Sequence, residues 1–137
     1  MKIAVFHNLP KGGARRVAEE QIKRLKKKHQ VETYAPAVGY YLHRGGGIRR
    51  LKSDFFKFWT LRKIHQQLAK KIDKKGYDVV LVHPSKFTQA PYILRYLQTP
   101  SVYFCQEPLR ICYEYNLRFQ EKVGMIKSIY ENLTRTL

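Results

Sequence analysis

Met1-Lys2-Ile3-Ala4-Val5-Phe6-His7-Asn8-Leu9-Pro10-Lys11-Gly12-Gly13-Ala14 opens the chain. Ile3 to Phe6 is an apolar run without polar alternation, which suits a strand buried on both faces, as in a parallel sheet. Pro10 and the Gly12-Gly13 pair then mark a loop. From Ala14 the period changes. Ala14, Val17, Ala18, Ile22 and Leu25 fall on one helical face, and Arg15, Arg16, Glu19, Lys23 and Lys26 lie away from it. Glu19 with Lys23 and Glu20 with Arg24 are supportive i,i+4 pairs. Lys26-Lys27-Lys28 sits where a helix dipole favours cations.

The same alternation continues outward. Val31 to Tyr34 predicts a second strand. Residues 35–60 form a basic and aromatic stretch: an irregular loop with Gly45-Gly46-Gly47, Arg44, Arg49 and Arg50, running into a helix start with Phe55, Phe56, Phe58 and Trp59. Ser53 or Asp54 can cap a helix to about Lys74, with Leu61, Ile64, Leu68 and Ile72 as its core stripe. Gly76 stops it. Asp78 to Val82 predicts a third strand, ended by His83-Pro84-Ser85. Pro91 suits the first turn of a helix through about Gln98. Ser101 to Phe104 predicts a fourth strand, and Val123, Ile126, Tyr130, Leu133 and Leu137 a last amphipathic helix. Strand–helix alternation predicts an α/β fold: a parallel, Rossmann-like sheet flanked by helices, in one domain spanning residues 1–137.

Lys plus Arg outnumber Asp plus Glu 27 to 10, a formal net charge of +17. Such a field attracts nucleic acid, anionic membranes or phosphorylated small molecules, and says nothing about fold. Cys105 and Cys112 make neither a redox pair nor a zinc set, and read as free thiols in a reducing compartment. No signal peptide or membrane span is visible, so the expectation is a cytoplasmic protein, or one peripheral on the cytosolic face of a membrane. Arg44, Arg49 and Arg50 beside Phe55, Phe56 and Trp59 suggest a membrane surface, since cations next to exposed aromatics mark interfacial helices. The same mixture can stack bases, but no nucleic-acid module is recognisable.

In open parallel sheets ligands bind beyond the carboxyl ends of the strands. Three loops take that position: His7 to Gly13, His83 to Lys86 and Cys105 to Arg110. Gly12 and Gly13 at a helix start suit a phosphate, because the amides there are open and the missing side chains allow close approach. His7, His83, Gln106, Glu107 and Arg110 are the polar residues of these loops; His83 could bind a hydroxyl or act as a base, and Glu107 and Arg110 could hold a polar acceptor or pair with one another. No catalytic triad and no metal-ligand spacing is present in the sequence.

These residues resemble a family. The first strand with Gly12-Gly13-Ala14 and Val17, Tyr77-Asp78-Val79-Val80-Leu81-Val82-His83, and above all Pro100 to Glu114 with Phe104-Cys105-Gln106-Glu107-Pro108-Leu109-Arg110, look like the amino-terminal domain of family-four glycosyltransferases. The likeness spans nearly the whole chain apart from Tyr40 to Lys75. It implies the GT-B architecture of two Rossmann-like domains. It also implies metal-free, retaining transfer of a sugar from a nucleotide-sugar donor, with this domain shaping the acceptor site for a lipid-linked or cell-envelope glycan. Two positions depart. Arg15 stands where the family frequently has Glu. Gln106 stands where the family has a histidine that contacts the transferred sugar; glutamine can hydrogen-bond a hydroxyl but cannot exchange a proton near neutral pH. The expectation is therefore an acceptor-side domain with no cofactor of its own. A carboxyl-terminal donor-binding domain or subunit would complete the donor site. The alternative is a non-catalytic membrane-surface or scaffold protein that kept the fold.

Overall fold

The structure is a computed structural model that describes residues 1–36, 55–85 and 87–106. Expectations placed on Arg44, Arg49, Arg50, Ser53, Asp54, Lys86, Glu107, Arg110, Cys112 and the stripe from Val123 to Leu137 lie outside the described residues.

Among the described residues four strands form one all-parallel sheet: β1 (Lys2–Asn8), β2 (Gln30–Tyr34), β3 (Val79–Ser85) and β4 (Ser101–Tyr103), in the order β2-β1-β3-β4. Two α-helices join them, α1 (Gly13–Leu25) and α2 (Leu61–Asp73), an α/β arrangement consistent with a Rossmann-like fold. Side chains alternate across β1. Ile3 and Val5 meet Ile22 of α1, whereas Ala4 and Phe6 meet Ala69 and Ile72 of α2. The helices therefore cover opposite faces, and β1 and β3 are buried on both sides, as their unbroken apolar runs require.

Several elements differ from the sequence expectation. In α1, Ala18 and Ile22 are buried, but Ala14 and Val17 are exposed; only a narrow stripe reaches the sheet. Glu19 is taken by Arg15 at 2.7 Å rather than by Lys23, while Glu20 pairs with Arg24 at 3.0 Å. The buried line of α2 is Leu61, His65, Ala69 and Ile72, with Ile64 and Leu68 only half-buried. The aromatic residues ahead of α2 form a π-turn, Phe56–Thr60, so the phase of the helix is reset before Leu61. The helix expected from Pro91 to Gln98 is a single 3₁₀ turn, Tyr92–Arg95. Pro91 is extended (ψ 140°), and Asp73 catches the amides of Gln98 and Thr99 and the Thr99 hydroxyl, drawing the chain straight into β4. Strand β3 runs on through His83-Pro84-Ser85 instead of ending there.

That extension carries an irregularity. Phe6 pairs with Val82, but Asn8 pairs with Ser85, so β3 spends one extra residue between the two pairs. Pro84 cannot donate to the ladder, which is why the bulge falls there.

Candidate functional site at the carboxyl edge of the sheet

The chain leaves β1 toward β2 on one side and returns with β3 on the other. The strand order therefore reverses between β1 and β3, the place where open parallel sheets bind ligands beyond the carboxyl ends of their strands. His7 stands at the end of β1, opposite the bulge that carries His83. By strand alternation both lie on the α1 face, with Val5 and Leu81. Phe104 closes on His83 with ring centroids 5.6 Å apart. Gly12 caps the start of α1 next to them, without a side-chain cap. Gln106 reaches back across the edge, its Nε2 donating to the Ala14 carbonyl at 3.1 Å. Of the residues expected to form the site, the structure thus gathers His7, Gly12, Gly13, His83 and Gln106 at one edge.

The polar atoms there are incompletely satisfied. His83 is wholly buried, and neither of its ring nitrogens has a hydrogen-bond partner; His7 Nδ1 and Asn8 Nδ2 are likewise buried and unpartnered. Buried polar groups without partners are uncommon and point to something that completes them. Burial pushes the His83 imidazole down to about 4, helped by the charge of His7. Burial also lowers His7, with the Arg15 guanidinium adding to it and Glu19 opposing. The His83 ring is thus neutral at physiological pH and His7 is biased the same way; a neutral imidazole offers one donor and one acceptor. That chemistry suits the hydroxyls of a neutral polyol.

The two glycines are required neither by backbone nor by packing. Gly12 is extended (φ 162°), and a Cβ added to Gly12 or Gly13 would meet nothing within 4 Å. The first amides of a helix have no partner within it, and the space a side chain would fill at Gly12 and Gly13 is open, an arrangement that suits an anion. Asn8 and Phe104 escaped the sequence reading. Asn8 carried a usable signal, a polar amide at the end of a buried strand; Phe104 read only as strand core. Among the described residues no group of three or more His, Cys, Asp or Glu is placed to hold a metal. Cys105 is exposed and free.

The aromatic surface expected around residues 55–60 divides. Phe55 and Trp59 are exposed and stacked on each other, but Phe56 is half-buried, edge-on to Phe87 at 5.9 Å. Phe56 does not share the outward side.

Comparison with known proteins finds no matching family, no matching curated protein and no matching solved structure.

Proposed function

We propose that this chain is the acceptor-side domain of a retaining, GT-B glycosyltransferase that moves a sugar from a nucleotide-sugar donor. In this reading a second domain or subunit grips most of the donor. One observation carries it: the unpartnered imidazole of His83, the unpartnered Nδ1 of His7 and an unpartnered Asn8 amide nitrogen stand beside an open glycine turn at the switch point of a parallel sheet. His7, Asn8 and His83 would hold acceptor hydroxyls. The α1 amides at Gly12 and Gly13 would meet the donor diphosphate. Gln106 would hold the β4 loop against α1 and offer its carbonyl oxygen to a sugar hydroxyl. The ordered resemblance from Met1 to Glu114 supports the same reading.

The glycine turn gives a clean experiment, because nothing in the fold needs those glycines. Gly12→Ala and Gly13→Ala should leave stability within about 0.5 kcal/mol of the parent. They should weaken calorimetric binding of uridine-, guanosine- or adenosine-diphosphate sugars by about tenfold, through lost close contacts to the phosphates. If the parent chain binds none of these donors, or binds them as well with either alanine in place, the proposal fails.

A further inference from the structure

The outward side of α2 carries a surface that the edge site does not use. Opposite the buried line Leu61, His65, Ala69 and Ile72, helical spacing places Lys63, Lys70 and Lys74, all exposed, with Gln67 among them. The single acid of α2, Asp73, lies to the side of this line and is engaged by Gln98 and Thr99. At the amino-terminal end of this lysine line stand Phe55 and Trp59, 62% and 63% exposed, their rings stacked at 6.4 Å and 21°. The π-turn aligns them. Its i→i+5 bonding advances less rotation per residue than an α-helix, so Phe55 and Trp59 come round onto the side of Lys63 while Phe56 turns in to Phe87.

We propose that this side of α2 docks on an anionic lipid surface. Phe55 and Trp59 enter the boundary between headgroups and acyl chains, and Lys63, Lys70 and Lys74 lie over the anionic headgroups with their stems along the apolar layer. The proposal is independent of glycosyl transfer, since it uses no residue of the sheet edge. A second copy of the chain does not suit this face, because two lysine lines brought together repel. Nucleic acid suits it less than lipid does. The cations are ammonium point charges without the planar fork of arginine. A lipid surface asks only for positive charge and a place to bury two rings.

Trp59 is the only tryptophan of the chain, so its emission reports on this surface alone. The full chain is mixed with vesicles of phosphatidylcholine, with and without phosphatidylglycerol. Expected is a blue shift of the emission, with quenching by brominated acyl chains, in the anionic vesicles only. The triple change Lys63→Gln, Lys70→Gln and Lys74→Gln should lower partitioning by on the order of 100-fold, roughly fivefold per charge. Phe55→Ser should reduce the quenching while the lysines still hold the chain to the vesicles in sedimentation. All four side chains are exposed, and unchanged circular dichroism checks that the variants fold. Three results overturn the proposal: vesicle binding that leaves Trp59 emission unmoved, a triple variant that partitions like the parent, or a blue shift produced by a single-stranded oligonucleotide and not by anionic vesicles.

Discussion

His65 and His83 are wholly buried on opposite faces of the sheet, and each has both ring nitrogens unpartnered. His65 stands edge-on to Phe6 at 5.2 Å, and burial pushes its imidazole down to about 4. The sign follows directly. An unfolded chain takes up protons on these rings near 6.5, the folded chain only near 4. Stability is therefore full above pH 6.5 and falls as the pH drops toward 4, by on the order of 3 kcal/mol per ring. Denaturant titration across that window measures it. His65→Leu should remove its share of the acid loss and, by deleting two unsatisfied nitrogens, raise stability at neutral pH by about 1–2 kcal/mol. An unchanged acid slope in that variant would mean that His65 is hydrogen-bonded or open to water. Below the histidine window a second loss begins. Glu32 is held at about 2 by Lys75 first, then by Tyr77 and Tyr34, so its contribution is present above its ordinary 4.5 and fades as the pH falls toward 2.

At the scale of elements, two joints are set by single residues. Asp73 closes α2 onto the approach to β4 through the amides of Gln98 and Thr99 and the Thr99 hydroxyl at 2.7 Å. Asp73→Ala should cost about 1–3 kcal/mol by thermal or denaturant unfolding, because it strands these donors. Gly76 ends the helix region at φ 62°, where a side chain strains the backbone although open space surrounds it, so Gly76→Ala should cost about 1 kcal/mol. The strands were legible in the sequence because a doubly buried strand must be apolar throughout, as Ile3 to Phe6 and Val79 to Val82 are. The phase of α2 was not. Leu61, Ile64, Leu68 and Ile72 satisfy a helical period, and nothing local says that a π-turn shifts the buried line onto His65 and Ala69. The short turn at Tyr92–Arg95 was equally hidden, because Pro91 starts a helix or an extended cap with the same sequence.

Over the whole molecule, strand order makes the candidate site. Strand–helix alternation predicts a parallel sheet, but only the observed order β2-β1-β3-β4 puts the reversal between β1 and β3 and brings His7 beside His83. The sequence supplied these residues one by one, and their meeting is a long-range fact. The bulge at Pro84 and the ring of Phe104 over His83 are of the same kind. The net charge of +17 adds a field that draws anions to the chain without choosing among them. The two proposed surfaces, the sheet edge and the face of α2, lie on separate elements and are separable by mutation.

The central claim is that the β1–β3 edge binds sugar hydroxyls beside a phosphate. The imidazole nitrogen resonances test it most directly, followed by NMR while nucleotide-diphosphate sugars and simple glycosides are added. His65, buried on the other face, serves as the internal control. His7 and His83 should shift together while His65 stays still. Movement of His65 with them, or saturating ligand that moves neither His7 nor His83, would contradict it.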